Sequence, residues 1–118
     1  MTQFSKSNDL PVSNKLLLQA KKLRDFGDDE TADEIEIQYL AEQEIQTWTN
    51  NQSSMRLAKL LGHLSAQVYQ RRFQNLNQRE QQLFAYSKSN LFIDSTKRKL
   101  RVIFIESWIQ SYHKSLIS

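Results

Sequence analysis

The hydrophobic pattern of this 118-residue chain is helical almost throughout, with apolar residues recurring three and four apart. At 100° per residue that spacing puts side chains on one face of an α-helix. A first helix is predicted over residues 14–26, with Ser13 as N-cap, Leu16, Leu17, Ala20 and Leu23 as its buried face and Gly27 as its stop. A second helix begins between Asp28 and Thr31, where Thr31 and Glu34 have capping-box spacing. It carries Ile37, Leu40, Ala41, Ile45 and Trp48 on its apolar side, and the short link predicts that the two helices run antiparallel. Thr49-Asn50-Asn51-Gln52 is a break.

A third helix starts at Ser53 or Ser54, with Leu57, Leu60, Leu61, Leu64 and Val68 on one face. Continued one turn, the same face carries Arg71, Arg72 and Asn75. Asn77 with Glu80 is another capping signature, which predicts a break near 75–77 and a fourth helix to about Ser87. Ser87 to Asn90 reads as a loop, and Asp94 or Ser95 caps a last helix to about Leu116. Between Leu100 and Ile109 that helix is apolar on nearly every side, so it is expected to be the buried central element. Residues 1–12 read as a flexible polar arm and 13–118 as a single-domain, all-α bundle of about five helices.

Composition supports this picture. One proline, Pro11, and two glycines, Gly27 and Gly62, leave few helix breakers, and Arg101–Ile105 is the only strand-like run. The absence of cysteine excludes a disulfide framework and thiolate metal sites. The N-terminus has no apolar signal core, and no apolar run reaches the roughly 18 residues of a membrane span. The expectation is a soluble, cytoplasmic protein with no membrane contact. Charge adds something the pattern does not. Residues 1–44 hold five Lys/Arg against ten Asp/Glu, a net −5, and residues 45–118 hold eleven against three, a net +8. Such a split points to a polyanion met by the later part, or to copies meeting each other.

The cations form two groups, Arg71, Arg72 and Arg79, and Lys97, Arg98, Lys99 and Arg101. The second group falls in the first turns of a helix, where cations oppose the helix dipole by about 0.3–1 kcal/mol each. Phosphate contacts, which release counterions, would repay such a placement. Tyr69, Phe73, Asn75, Asn77 and Gln78 are candidates for stacking and polar contacts beside the first group. The bland alternative is a solvated face, or pairing with the acidic second helix. A different DNA-binding device is suggested by Ala58, Gly62 and Val68, which have helix-turn-helix offsets, with Leu57–Gly62 as first helix and Ser65–Arg72 as recognition helix. His63 and Arg71 stand where that motif has buried aliphatics. The competing reading makes Ala58, Gly62, Ser65 and Ala66 a small-residue side for close helix packing.

Catalytic and metal chemistry find little footing. His63 and His113 lack metal-binding spacing, no glycine-rich phosphate loop occurs, and no serine has a nucleophile-elbow context. The acidic run from Asp25 to Glu36 fails as a calcium loop, with Gly27 at a ligand position and Glu30 at the turn-glycine position, and reads as a solvated helix start. Trp48 and Trp108 read as core. The expectation is a protein without catalytic residues, metal or cofactor.

In length, helix count and the basic clusters at Arg71-Arg72 and Lys97-Arg98-Lys99, the chain resembles the small helical subunit of CRISPR effector (Cascade-type) complexes. The resemblance covers the chain loosely and is one of type, resting on no motif. It implies a non-catalytic, multi-copy subunit of an antiviral ribonucleoprotein that contacts target or displaced strand through its backbone, without base readout. The first hairpin, with Ala20, Leu23, Gly27 and Ala32, also resembles one tetratricopeptide unit, which the later segments do not repeat.

The sequence thus predicts a nucleic-acid-backbone-binding subunit of a larger complex, acting through Arg71, Arg72, Arg79, Lys97, Arg98, Lys99 and Arg101, with other protein subunits as partners and self-association as a further expectation. The alternatives are a helix-turn-helix DNA-binding regulator and a protein–protein adaptor without nucleic acid.

Overall fold

The computed structural model describes residues 12–49, 53–92 and 98–117. Among them the protein is all-α: α1 (Val12–Asp25), α2 (Asp29–Ile45), α3 (Ser54–Gln70), α4 (Gln78–Lys88), a 3-10 turn (Ser89–Phe92) and α5 (Arg98–Ile117). The expected arm over 1–12, apart from Val12 at the start of α1, lies outside the described residues, as do the expected caps Asp94 and Ser95. The helices fall into two compact units, Met1–Thr49 and Asn50–Ser118. Their boundary follows the charge division, so the first unit carries the net −5 and the second the net +8.

In the first unit α1 and α2 form a helical hairpin. Gly27 closes α1 with φ +88°, a backbone region that side chains other than glycine rarely adopt. Asp28 N–H donates to Leu23 O at 2.8 Å and Gly27 N–H to Arg24 O at 2.9 Å, the paired bonds of a Schellman stop. Asp28 then caps α2 by accepting from Thr31 N–H, so the predicted Thr31–Glu34 capping box does not form, because Thr31 already lies inside the helix. Ala20, Ala32 and Ala41 are buried, whereas Leu17, expected inside, is exposed. Leu16, Ala20 and Leu23 already fill the inward stripe, and Leu17 lies beside it.

The acidic run is more than a solvated helix start. Asp33 is 1% exposed and accepts from Arg24 at 2.8 Å, and Glu36 accepts from the other terminal nitrogen of Arg24 at 2.6 Å. Burial alone would lower the affinity of Arg24 for its proton. The hydrogen bonds and charges of Asp33 and Glu36 outweigh it and hold the guanidinium above its ordinary pKa.

The second unit is built on α3 and α5. Ser53 caps α3 by accepting from Arg56 N–H, and the helix runs unbroken to Gln70. The centre of its buried face is Ala58, Gly62, Ser65 and Tyr69, while Leu57, Leu60 and Leu61 are only half-buried. The face is thus turned roughly 100° from the leucine stripe toward the small residues. The reason is close approach. A Cβ built on Gly62 would stand 2.5 Å from Phe104 O, 3.0 Å from Ser107 Cβ and 3.1 Å from Trp108 N. Three polar contacts run along the same seam: Ser107 Oγ donates to Lys59 O at 2.7 Å, Trp108 Nε1 to Ser65 Oγ at 3.1 Å, and Ser111 Oγ pairs with His63 Nδ1 at 2.8 Å.

Contacts advance together along the two segments, from Gly62 against Phe104 to Phe73, just past the end of α3, against Tyr112, so α3 and α5 run in the same general direction. The return between them is α4, which the Asn77–Glu80 capping box starts as predicted. The expected loop at Ser87–Asn90 is instead the end of α4 and the 3-10 turn. Phe84 of α4 links Phe73 (centroids 4.9 Å apart) to Trp108 (6.3 Å), which stacks on Tyr112 at 5.4 Å. Among the described residues no helix is long and apolar enough to cross a membrane.

Gly62→Ala is expected to lower stability by about 1–3 kcal/mol in urea unfolding, since backbone is the neighbour that must shift. An ordinary helix interior would gain about 0.5–1 kcal/mol from the same change, so a gain here would contradict the close approach. In the hairpin, Asp33→Ala is expected to cost about 1–3 kcal/mol and Glu36→Ala less than about 1 kcal/mol, because Asp33 is the buried partner. Equal losses in calorimetry would contradict that ranking.

Candidate nucleic-acid interface

The first cationic group stands where α3 ends. Arg71 is the C-cap, so the leucine face does not continue as helix into Arg71 and Arg72; both belong to the connection to α4. That connection is firmly held. Arg72 and Phe73 donate their N–H groups to Tyr69 O at 3.1 and 2.9 Å. The Tyr112 hydroxyl donates to Phe73 O at 2.6 Å and accepts from Leu76 N–H at 3.0 Å. Buried Gln81 donates to Leu76 O at 2.8 Å. Arg71 and Arg72 are exposed, with the Arg72 guanidinium 4.7 Å from the Phe73 ring centroid and 5.9 Å from that of Tyr69. A helix C-terminus favours cations, so this placement also suits the fold. Arg79 is exposed in the first turn of α4.

The stacking candidates of this group are used up by the core. Tyr69 is 1% exposed and Phe73 is half-buried against Phe84. Asn77 is the cap of α4, and Asn75 and Gln78 remain on the surface.

The second group stands at the start of α5. Lys97 lies outside the described residues. Arg98 and Lys99 are exposed on the first turn, against the helix dipole. Arg101 is different, because it is anchored. Its Nε donates to Ser89 Oγ at 2.7 Å and a terminal nitrogen to Asn90 Oδ1 at 3.3 Å, and its guanidinium carbon lies 4.1 Å from the centroid of Tyr86. Ser89 is fully buried and donates onward to Tyr86 O at 2.6 Å. Among the described residues no ion pair engages Arg79, Arg98 or Lys99.

The two groups do not merge. Tyr112 holds one end and Arg101 marks the other, about three turns or roughly 17 Å apart along α5. The candidate residues therefore fall at two cationic ends of one helical unit. The helix-turn-helix expectation fails at Gly62. That residue lies inside one continuous helix with its small side against α5, which is the close-packing alternative. Among the described residues no group of His, Asp or Glu is placed to hold a metal ion.

The hydrophobic pattern does not single out two residues that matter here, Tyr86 and Tyr112. Gln81, Phe84, Ala85 and Lys88 turn inward at helical spacing, which leaves Leu83 and Tyr86 outward at 60% and 57% exposure. The polar ends of that inward stripe hid it. Comparison with protein-family models, curated proteins and solved structures gives no match for this chain.

Tyr112→Phe removes the two hydroxyl bonds to the Arg71–Asn77 connection, those with Phe73 O and Leu76 N–H. It is expected to lower stability by about 1–3 kcal/mol and to speed hydrogen exchange at the Leu76 amide more than in mid-α3. Unchanged exchange at Leu76 would show that the connection is held by other means.

Proposed function

We propose that the protein is a non-catalytic helical subunit that binds the nucleic-acid backbone within a larger assembly, and that the start of α5 is its principal contact. The observation that carries this reading is the exposure of Arg98 and Lys99 on the first turn of α5, where the dipole works against them. A fold under no functional demand gains by placing acidic residues there, as α2 does with Asp29 and Glu30. Phosphate oxygens supply the missing negative charge, and each one neutralised releases counterions. Arg71, Arg72 and Arg79 at the other end extend the contact along the strand, and Lys97 immediately precedes the α5 cluster in sequence. The acidic first unit is unsuited to a polyanion and serves protein partners. The resemblance to CRISPR effector small subunits is one specific form of this reading.

The opposite charges of the two units favour one second reading, an adaptor whose copies meet acidic to basic without nucleic acid. It predicts salt-sensitive self-association of the purified protein, unaffected by nuclease.

Arg98→Glu/Lys99→Glu separates function from folding. Stability is expected to hold or rise, by about 0.3–1 kcal/mol per residue. Binding to DNA or RNA of any sequence is expected to weaken, with the slope of log K against log salt shallower by about two. No binding by the wild type at low salt contradicts the proposal, and so does undiminished binding by the variant.

A further inference from the structure

At the α5 end the Tyr86 side chain is, among the described residues, presented rather than packed. Tyr86 is 57% exposed, and its neighbour one turn back on α4, Leu83, is 60% exposed. The guanidinium of Arg101 covers one side of the Tyr86 ring at 4.1 Å. This guanidinium does not roam: its Nε is fixed on the buried Ser89 hydroxyl, which is itself fixed on Tyr86 O. Tyr86 and Arg101 thus form a cation–π pair held in place by the fold, with more than half of the Tyr86 side chain still exposed. Arg98 precedes Arg101 by one turn of α5, and Lys99 lies between them in sequence.

We infer that this pair is a stacking platform for an unpaired base, which makes single-stranded nucleic acid, rather than duplex, the ligand of the α5 end. The inference rests on the backbone-binding reading above and sharpens it. A duplex keeps its base faces stacked inside and offers nothing to an exposed ring, whereas a single strand offers a π-face at every nucleotide. The aromatic surface and the cations then divide the work, Arg98 and Lys99 taking phosphates while Tyr86 takes a base face. Stacking is indifferent to base identity, so the platform confers strand preference without sequence preference.

The test compares a fluorescent oligothymidine of about twelve nucleotides, an abasic strand with the same phosphates, and a duplex of equal length. The full-length wild type, Tyr86→Ala, Tyr86→Phe and Arg98→Glu/Lys99→Glu are each titrated at one fixed salt concentration. Tyr86→Ala is expected to weaken oligothymidine binding roughly five- to one-hundred-fold, to leave binding to the abasic strand unchanged, and to be rescued by Tyr86→Phe. Rescue by phenylalanine separates stacking from any role of the hydroxyl, and a far-ultraviolet melt confirms that the alanine variant is folded. If Tyr86→Ala binds oligothymidine as tightly as wild type, or the wild type prefers duplex, the platform is overturned while phosphate binding through Arg98 and Lys99 stands. If the wild type binds none of the three probes, both readings fall.

Discussion

The second unit depends on one contact, the seating of Gly62 against the backbone of α5 between Phe104 and Trp108. Only a residue without a side chain admits that approach. It brings the Ser107, Trp108 and Ser111 side chains within hydrogen-bonding reach of α3. It also puts Trp108 and Tyr112 where Phe84 of α4 completes an aromatic row. Tyr112 in turn fixes the connection that carries Arg71 and Arg72, and the far end of the same helix carries Arg98, Lys99 and Arg101. Both cationic ends are therefore positioned by one helix, and that helix by one glycine.

Charge is distributed with a different logic in the two units. In the hairpin, Arg24 is clasped by Asp33 and Glu36 and serves the fold. In the second unit, Arg101 also serves the fold, tying the 3-10 turn to α5 through Ser89, and it lies over the exposed Tyr86 ring as it does so. Arg71 and Arg72 sit where the helix dipole welcomes cations, so folding alone accounts for their position. Arg98 and Lys99 sit where it does not, and for that reason the proposed contact is placed on them. The two groups named together from the sequence are therefore unequal.

Helix number and most boundaries were legible because capping chemistry is local. Ser53, the Asn77–Glu80 box and the Gly27 stop all act within a few residues of themselves. The second start was bracketed between Asp28 and Thr31 because both are good caps, and Asp28 is the one that takes the role. Which face of α3 turns inward was legible only as two candidates, the leucine stripe and the small-residue side of Ala58, Gly62, Ser65 and Ala66. Leucine density argued for one side, while the closeness allowed by Ala58, Gly62 and Ser65 decided for another. That is a pairwise property of two helices distant in sequence. The same holds for the aromatics, since nothing local to Tyr69, Phe73 or Tyr86 says which of them the Trp108 row absorbs. Burial of Asp33 likewise depends on Arg24, which reaches it from the neighbouring helix.

The central claim is that nucleic acid meets the second unit at the start of α5. Backbone amide shifts of the labelled protein, followed while a short single strand is added at low salt, test it most directly. The account predicts perturbations concentrated at Leu83–Asn90 and Arg98–Val102, weaker ones at Arg71–Arg79, and none on the Asp29–Ile45 helix. Perturbations confined to residues 12–49, or no perturbation at all, would contradict it.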